Sequence, residues 1–193
     1  MADHGFPEAV VEIVDPPRQK QVWEVREACL NIMMSMKGDG KPISFIEDCA
    51  VPLEHLADYT SAITDLFARH GTRGTWYAHA SVGCLHVRPI LNMKDEAGAR
   101  AMRAIAEEAC DLVRRFEGSH SGEHGDGISR SDLHEKMFGR RLVGAFEEVK
   151  DAFDPSSGLN PGKIVLPYRM DDRSLMRFPP GYATPVPVAV NHR

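Results

Sequence analysis

The sequence predicts an α+β domain, a small, mostly antiparallel sheet with helices packed on one face. Three observations lead there. Two strand-like runs, TWYAHASVG (75–83) and CLHVRPIL (84–91), follow one another with Gly83 at the junction, which suits a hairpin rather than a parallel crossover. Two segments, 53–69 and 95–116, carry apolar residues at three- and four-residue spacing. Strands and helices alternate elsewhere without an internal repeat, but the paired strands argue against an all-parallel sheet.

Taken in order, residues 1–19 hold Pro7, Pro16 and Pro17 among mixed charges and read as an irregular lead-in. Val22 to Met36 is helical in pattern, with Trp23, Leu30, Met33 and Met34 at three- and four-residue spacings, and its three methionines are expected to pack into a core. GDGKP (38–42) signals a turn. ISFIEDCAV (43–51) is short, β-branched and apolar, and is expected to be one strand. Residues 53–69 place Leu53, Leu56, Ile63, Leu66 and Phe67 on one helical face, and HGTRG (70–74) ends that helix. The helix over 95–116 has a stripe of Met102, Ile105, Ala109, Leu112, Val113 and Phe116. A further helix is expected from Ser131, with Asp132 in its first turn. Residues 140–153 carry Leu142, Phe146, Val149 and Phe153 in helical register, and Asp154-Pro155 stops that helix. From 167 the prolines (Pro167, Pro179, Pro180, Pro185, Pro187) suggest an extended arm or linker.

At 193 residues and 21.4 kDa the chain is long enough for one sizeable core. A net charge of -5 and scattered arginines give no electrostatic footprint for nucleic acid. No run approaches the ~18 apolar residues of a membrane span. The acidic N-terminus lacks the pattern of a signal peptide. Cys29, Cys49, Cys84 and Cys110 form no CxxC pair, so they are expected as buried free thiols in a reducing, cytoplasmic setting.

Two stretches carry chemistry. His79 and His86 bracket a small-residue turn in HASVGCLH, so two imidazoles can converge on one point. Glu123 and His124 sit in SGEHGDGISR among Gly122, Gly125 and Gly127. In a strand they would face opposite ways. Glycine permits a backbone in which both address one cavity. His79, His86 and Glu123 would then offer three ligands with an open position, the arrangement of a catalytic zinc-type site, and His124 a general base. Spacing alone leaves open a pair of ordinary histidines and a solvated polar turn. Arg88 shares a strand face with His86 and suits a carboxylate. Lys41, Arg26 and Arg130 are further anion-binding candidates or plain surface charges. GLNPGK (158–163) has the wrong glycine spacing for a phosphate loop, GEHGDG lacks the context of a dinucleotide fingerprint, and there is no GxSxG elbow.

HASVGCLHVRP, GEHGDGISR and FDPSSGLNPGKIV, in that order, resemble the C-terminal portion of FAD-linked oxidases of the vanillyl-alcohol oxidase superfamily, in the branch of D-lactate, glycolate and D-2-hydroxyglutarate dehydrogenases. GCLHVRP resembles the members fused to an iron-sulfur module. The resemblance covers about residues 20–180. It implies a ferredoxin-like cap domain over 20–166, incomplete on its N-terminal side. It implies that His79, His86 and Glu123 bind a divalent metal, zinc by preference, and that His124 is the catalytic base that takes the substrate's hydroxyl proton while the α-hydrogen leaves as hydride to FAD. Arg26 (with Arg88 and Lys41) would meet the substrate carboxylate, and Asn160 and Arg130 the cofactor side. The first motif departs from the family in its ASVGC centre and in Arg88. No flavin-binding or cysteine-cluster motif is seen, so the chain is expected to be a fragment or separate subunit, inactive alone, that partners an FAD domain. A non-catalytic metal-binding or interaction module and a stand-alone metal hydrolase are the competing readings.

Overall fold

The computed structural model describes residues 11–183. It divides into two compact units, residues 1–36 and 37–193.

The first unit contains helix α1 (Pro16–Met34). It starts earlier than the composition suggested, for a local reason. Asp15 caps it by accepting from the backbone N–H of Arg18 at 3.1 Å. Pro16 and Pro17 fill first-turn positions where a missing N–H costs nothing. The expected core packing does not occur: no residue of α1 is buried, and Trp23, Leu30 and Met34 are exposed. Val25 and Ile32 lie across the helix from Trp23 and Met34, so no single apolar stripe forms.

The second unit is α+β with a small antiparallel sheet. Strands β1 (Lys41–Pro42), β2 (Cys49–Ala50) and β3 (Gly74–His79) all pair antiparallel with the long strand β4 (Cys84–Leu91). The expected strand over 43–51 is therefore interrupted. Its ends pair with β4, with Ile43 and Asp48 still donating their N–H groups to the carbonyls of Pro89 and Leu85 at 2.9 Å each, but residues 44–47 leave the ladder, and Asp48 takes a left-handed φ of 64°. Phe45, Ile46, Glu47 and Asp48 are all buried. The apolar character that suggested a strand comes from burial, not from pairing.

The β3–β4 hairpin turns through a short 3-10 segment, Ala80–Val82, closed by Gly83 at φ 70°. A Cβ at Gly83 would lie 1.9 Å from the carbonyl oxygen of Val51, so only glycine fits. Helix α2 (Leu56–Arg69), preceded by a 3-10 turn at Leu53–His55, buries Tyr59, Ile63, Leu66 and Phe67, while Leu53 is exposed. Helix α3 (Glu96–Arg115), capped by Asp95, buries Met102, Ile105, Ala109 and Val113 as its stripe predicts. These faces join Leu85, Val87 and Leu91 of β4 in one core.

The helix expected from Ser131 is broken into α4 (Gly127–Arg130), a 3-10 turn (Ser131–Leu133) and α5 (His134–Phe138), which ends at Gly139 with φ 81°. Helix α6 (Arg140–Phe153) follows in the predicted register. Its apolar side is largely open: Leu142, Val149 and Phe153 are exposed. The tail to residue 183 is irregular but anchored. Arg173 is buried and donates to Glu96 at 2.7 Å and to the carbonyl of Lys94 at 3.1 Å. Pro185 and Pro187, like Pro7, lie outside the described residues.

Candidate functional site

Strand parity builds one half of the site. In the hairpin, His79 pairs with Cys84, Tyr77 with His86 and Thr75 with Arg88. Side chains alternate between faces, so Tyr77, His79, Cys84, His86 and Arg88 share one face, and Leu85 and Val87 point into the core behind it. His79 and His86 are diagonal neighbours with ring centroids 5.0 Å apart. His86 is buried and sandwiched, stacking on Tyr77 at 4.5 Å and on His124 at 5.2 Å.

A loop builds the other half. Ser119 bridges to Ala50 by paired backbone hydrogen bonds of 2.8 and 2.9 Å. That bridge sets residues 120–127 against the sheet's edge. The loop then wraps one carboxylate. Asp48 Oδ2 accepts from the backbone N–H groups of Gly122, Glu123 and His124 at 3.1, 2.9 and 2.7 Å, and from Ser121 Oγ at 3.0 Å. Asp48 is fully buried. Its other oxygen meets Arg130 Nη2 at 2.6 Å, and Arg130 also donates to the carbonyls of Glu47 and Gly125. Gly125 and Gly127 have φ values of 77° and 50°, the left-handed freedom this wrap requires.

The two halves meet at Glu123 Oε1. It lies 2.8 Å from His86 Nε2, 3.6 Å from His79 Nε2 and 3.5 Å from His124 Nε2. His79, Glu123 and His124 are each about half exposed at their side chains, whereas His86 is buried. The group therefore has a rigid floor and an open front. His79, His86 and Glu123 offer two imidazole nitrogens and one carboxylate oxygen within 4.8 Å of one another, which fits a zinc-type ion. Glu47, His86 and His124 form a second such set sharing His86. Cys84 Sγ is 3.8 Å from Glu123 Oε1. Burial first, then the Glu123 carboxylate, pushes its thiol up to about 11. The three donors that lie within 4.8 Å of one another are His79, His86 and Glu123, without Cys84.

Glu47 braces this floor from behind. Arg88 grips it with Nε and Nη2 at 2.7 and 2.8 Å, Tyr77 Oη donates at 3.3 Å, and His86 Nδ1 lies 3.3 Å away. Burial works to raise the Glu47 carboxyl. The Arg88 hydrogen bond and charge outweigh it, helped by His124 and His86, and hold the group below its ordinary value of 4.5. A polar cavity of about 280 Å³ opens beside His124, lined by Ser44, Glu47, Asp126, Ser129 and Arg130 among others.

The structure thus brings His79, His86, Glu123, His124 and Arg88 together. Arg130 is buried and committed to the loop. Asn160, at φ 49°, lines a different groove with Lys163, Phe146 and Phe153. Lys41 pairs across from Leu91 on β1, and Arg26 lies on α1 in the first unit. Sequence reasoning missed Glu47 and Asp48. The available signal was two adjacent acids inside an apolar run, which a strand in a core has no use for. All four cysteines are free, with Cys49, Cys84 and Cys110 buried and Cys29 half-buried. No helix among the described residues is long and apolar enough to cross a membrane.

Comparison with known proteins gives a family and a set of relatives. A family model for FAD linked oxidases, C-terminal domain, matches residues 2–164. D-2-hydroxyglutarate dehydrogenase of Pantoea ananatis is 39% identical over 149 residues, covering 77% of this chain and 14% of that protein. Its namesake from Haemophilus influenzae is 36% identical over 158 residues, covering 82% and 15%. That from Escherichia coli is 38% identical over 152 residues, covering 79% and 15%. The chain thus spans about one seventh of the length of these relatives.

Proposed function

The chain belongs to the FAD linked oxidases, C-terminal domain, family, and from that premise we propose that it is the substrate- and metal-binding part of a flavin-dependent 2-hydroxyacid dehydrogenase. The observation that carries the reading is the convergence of His79, His86 and His124 on one oxygen of Glu123. The names of the similar proteins make D-2-hydroxyglutarate the first substrate to try.

His79, His86 and Glu123 would hold a divalent ion of the zinc class. Such an ion supplies Lewis-acid polarisation of the substrate's hydroxyl and carboxylate oxygens. A flavin carried by a separate domain supplies the two-electron acceptor. The residues of this chain do the rest. His124 takes the hydroxyl proton on Nε2, the nitrogen that faces the Glu123 cluster. Its Nδ1 lies 4.0 Å from Glu47 Oε1, so that buried negative charge stabilises the imidazolium as it forms. Glu47 uses only part of the Arg88 fork, and the remaining N–H groups of Arg88 are offered to a substrate carboxylate. Lys41 is proposed as a further carboxylate contact, and Asn160 as a contact toward the flavin. Arg130 acts at one remove, by fixing the loop that carries Glu123 and His124. The relatives' extra length leaves room for the flavin domain and an iron-sulfur module.

The test has two arms. Zn2+ binding to the 193-residue chain should lose one equivalent on the double substitution His79→Ala, His86→Ala; unchanged stoichiometry would overturn the metal assignment. In the flavin-containing protein, His124→Asn should lower kcat by about 10²–10⁴-fold with metal content unchanged. A variant that keeps full kcat removes His124 from the proton transfer.

A further inference from the structure

A second ligand-like cluster lies at the far end of the same loop, on side chains other than those that meet at Glu123; Asp126 also lines the polar cavity beside His124. His120 Nε2 is 2.9 Å from Asp126 Oδ1, and His134 Nε2 is 2.8 Å from Asp126 Oδ2. The three donors come from three pieces of backbone. His120 follows the Ala50–Ser119 bridge, Asp126 ends the glycine-framed loop, and His134 begins α5. We propose that His120, Asp126 and His134 form a second divalent-metal site, of the zinc class, that locks the far end of the loop to α5.

Four observations support it. The donor set is two imidazole nitrogens and one carboxylate, all within 4.8 Å of one another, a combination that zinc-class ions accept. The separations of 2.9 and 2.8 Å would open by about half an ångström to reach the ~3.3–3.4 Å edge of a tetrahedron with bonds of ~2.0–2.1 Å. Both imidazoles are almost inaccessible, at 4% and 2% exposure. Two buried rings and a carboxylate are costly to keep out of water without strong mutual satisfaction. The fourth observation is alignment. His120 Nε2 approaches Asp126 Oδ1 closely yet makes no aligned hydrogen bond with it or with any other described residue. His134 Nε2, by contrast, hydrogen-bonds Asp126 Oδ2 at 2.8 Å, which holds the carboxylate in place beside a His120 nitrogen that has no aligned partner.

The surroundings suit a structural ion. Phe138 packs on both imidazoles, with centroids 5.5 and 5.4 Å away, and Phe146 lies 6.1 Å from His134. This aromatic collar keeps bulk water off the donors. It also distinguishes the cluster from the open front at Glu123. An ion here fixes residue 126, two positions past His124, just as Asp48 fixes residues 121–124. The loop would then be pinned at both ends.

The proposal does not rest on an ion at His79, His86 and Glu123, and the experiment separates the two. The 193-residue chain carrying His79→Ala and His86→Ala should still bind one equivalent of Co2+, with ligand-field bands in the visible. Adding His134→Gln to that chain should weaken binding by at least the roughly tenfold that even an outer-shell loss costs. No Co2+ binding by the first variant, or binding indifferent to His134→Gln, overturns the proposal. A readout without substitutions guards against misfolding. In the unmodified chain, Zn2+ should shift the imidazole 15N resonances of His120 and His134. Resonances that stay in place at saturating Zn2+, in a chain with dispersed amide signals, overturn the proposal equally.

Discussion

The β3–β4 hairpin carries His79 and His86 to the site on a ladder of backbone hydrogen bonds, whereas residues 121–127 carry Glu123 and His124 there on a single buried carboxylate. The ladder spreads its load over six residue pairs and needs side chains only for packing. The loop concentrates its load on Asp48 Oδ2, and Arg130 closes the arrangement from the other oxygen. Regular pairing tolerates the loss of one bond. A polar hub does not, because removing it strands several buried partners at once. The difference also explains the exposure pattern. His86, in mid-ladder, is the buried floor, and His79, at the ladder's turn end, joins Glu123 and His124 of the loop in the open front.

The largest effect should come from the hub. Asp48→Ala leaves Arg130 buried and unpaired and should cost about 3–5 kcal/mol, read as a shift in the urea midpoint. Amides 122–124 should lose exchange protection before those of β3 and β4 do. Equal loss in both regions would break the contrast. Next is the hairpin's own weak point. Gly83→Ala forces a Cβ into the Val51 carbonyl at a left-handed φ and should cost about 3 kcal/mol. Here the protection lost first should be at residues 84–86, with the Asp48 contacts retained.

Glu47→Gln sharpens the comparison, because Glu47 braces the ladder's histidine from outside the ladder. It should cost about 2 kcal/mol at neutral pH, as a partly buried Arg88 loses its charged partner. The sign with pH is fixed. The folded Glu47 carboxyl sits below its ordinary 4.5. Its contribution is therefore present in full above that value and is lost as pH falls through the lower folded value. The stability gap between the native chain and Glu47→Gln should hold from pH 7 to about pH 5 and narrow progressively as pH falls below 4.5. A gap that persists in acid would mean that shape, not charge, does the bracing. The smallest structural effect belongs to His79→Ala. Its side chain is 44% exposed, so stability should move by no more than about 0.5 kcal/mol. Zn2+ affinity at the site should nonetheless fall by at least the roughly 10–100-fold seen for outer-shell losses.

Much of this was legible in the chain. The stripes of α2 and α3 predicted their buried faces because a 3.6-residue period has one meaning in a soluble core. The parity of His79 and His86 followed from the two-residue period of a strand. The stripe of α6 was read correctly as helical, but its exposure shows that periodicity reports a helix and not what covers it. Residues 43–51 failed for a related reason. Apolar composition reports burial, and burial without pairing looks the same in one dimension.

By itself the sequence determined the helices, the hairpin and the residue types able to do chemistry, because each depends on neighbours within a few positions. It also carried the motifs by which the family is identified. Only the tertiary structure decided which of those residues meet. Glu47 and Asp48 lie more than 70 residues from the loop they hold, and His120, Asp126 and His134 become one cluster only after the loop has wrapped Asp48. Local propensity has a short memory along the chain. A buried carboxylate chooses its partners by proximity in space, and nothing in the spacing of residues 48, 122 and 130 announces that they will touch.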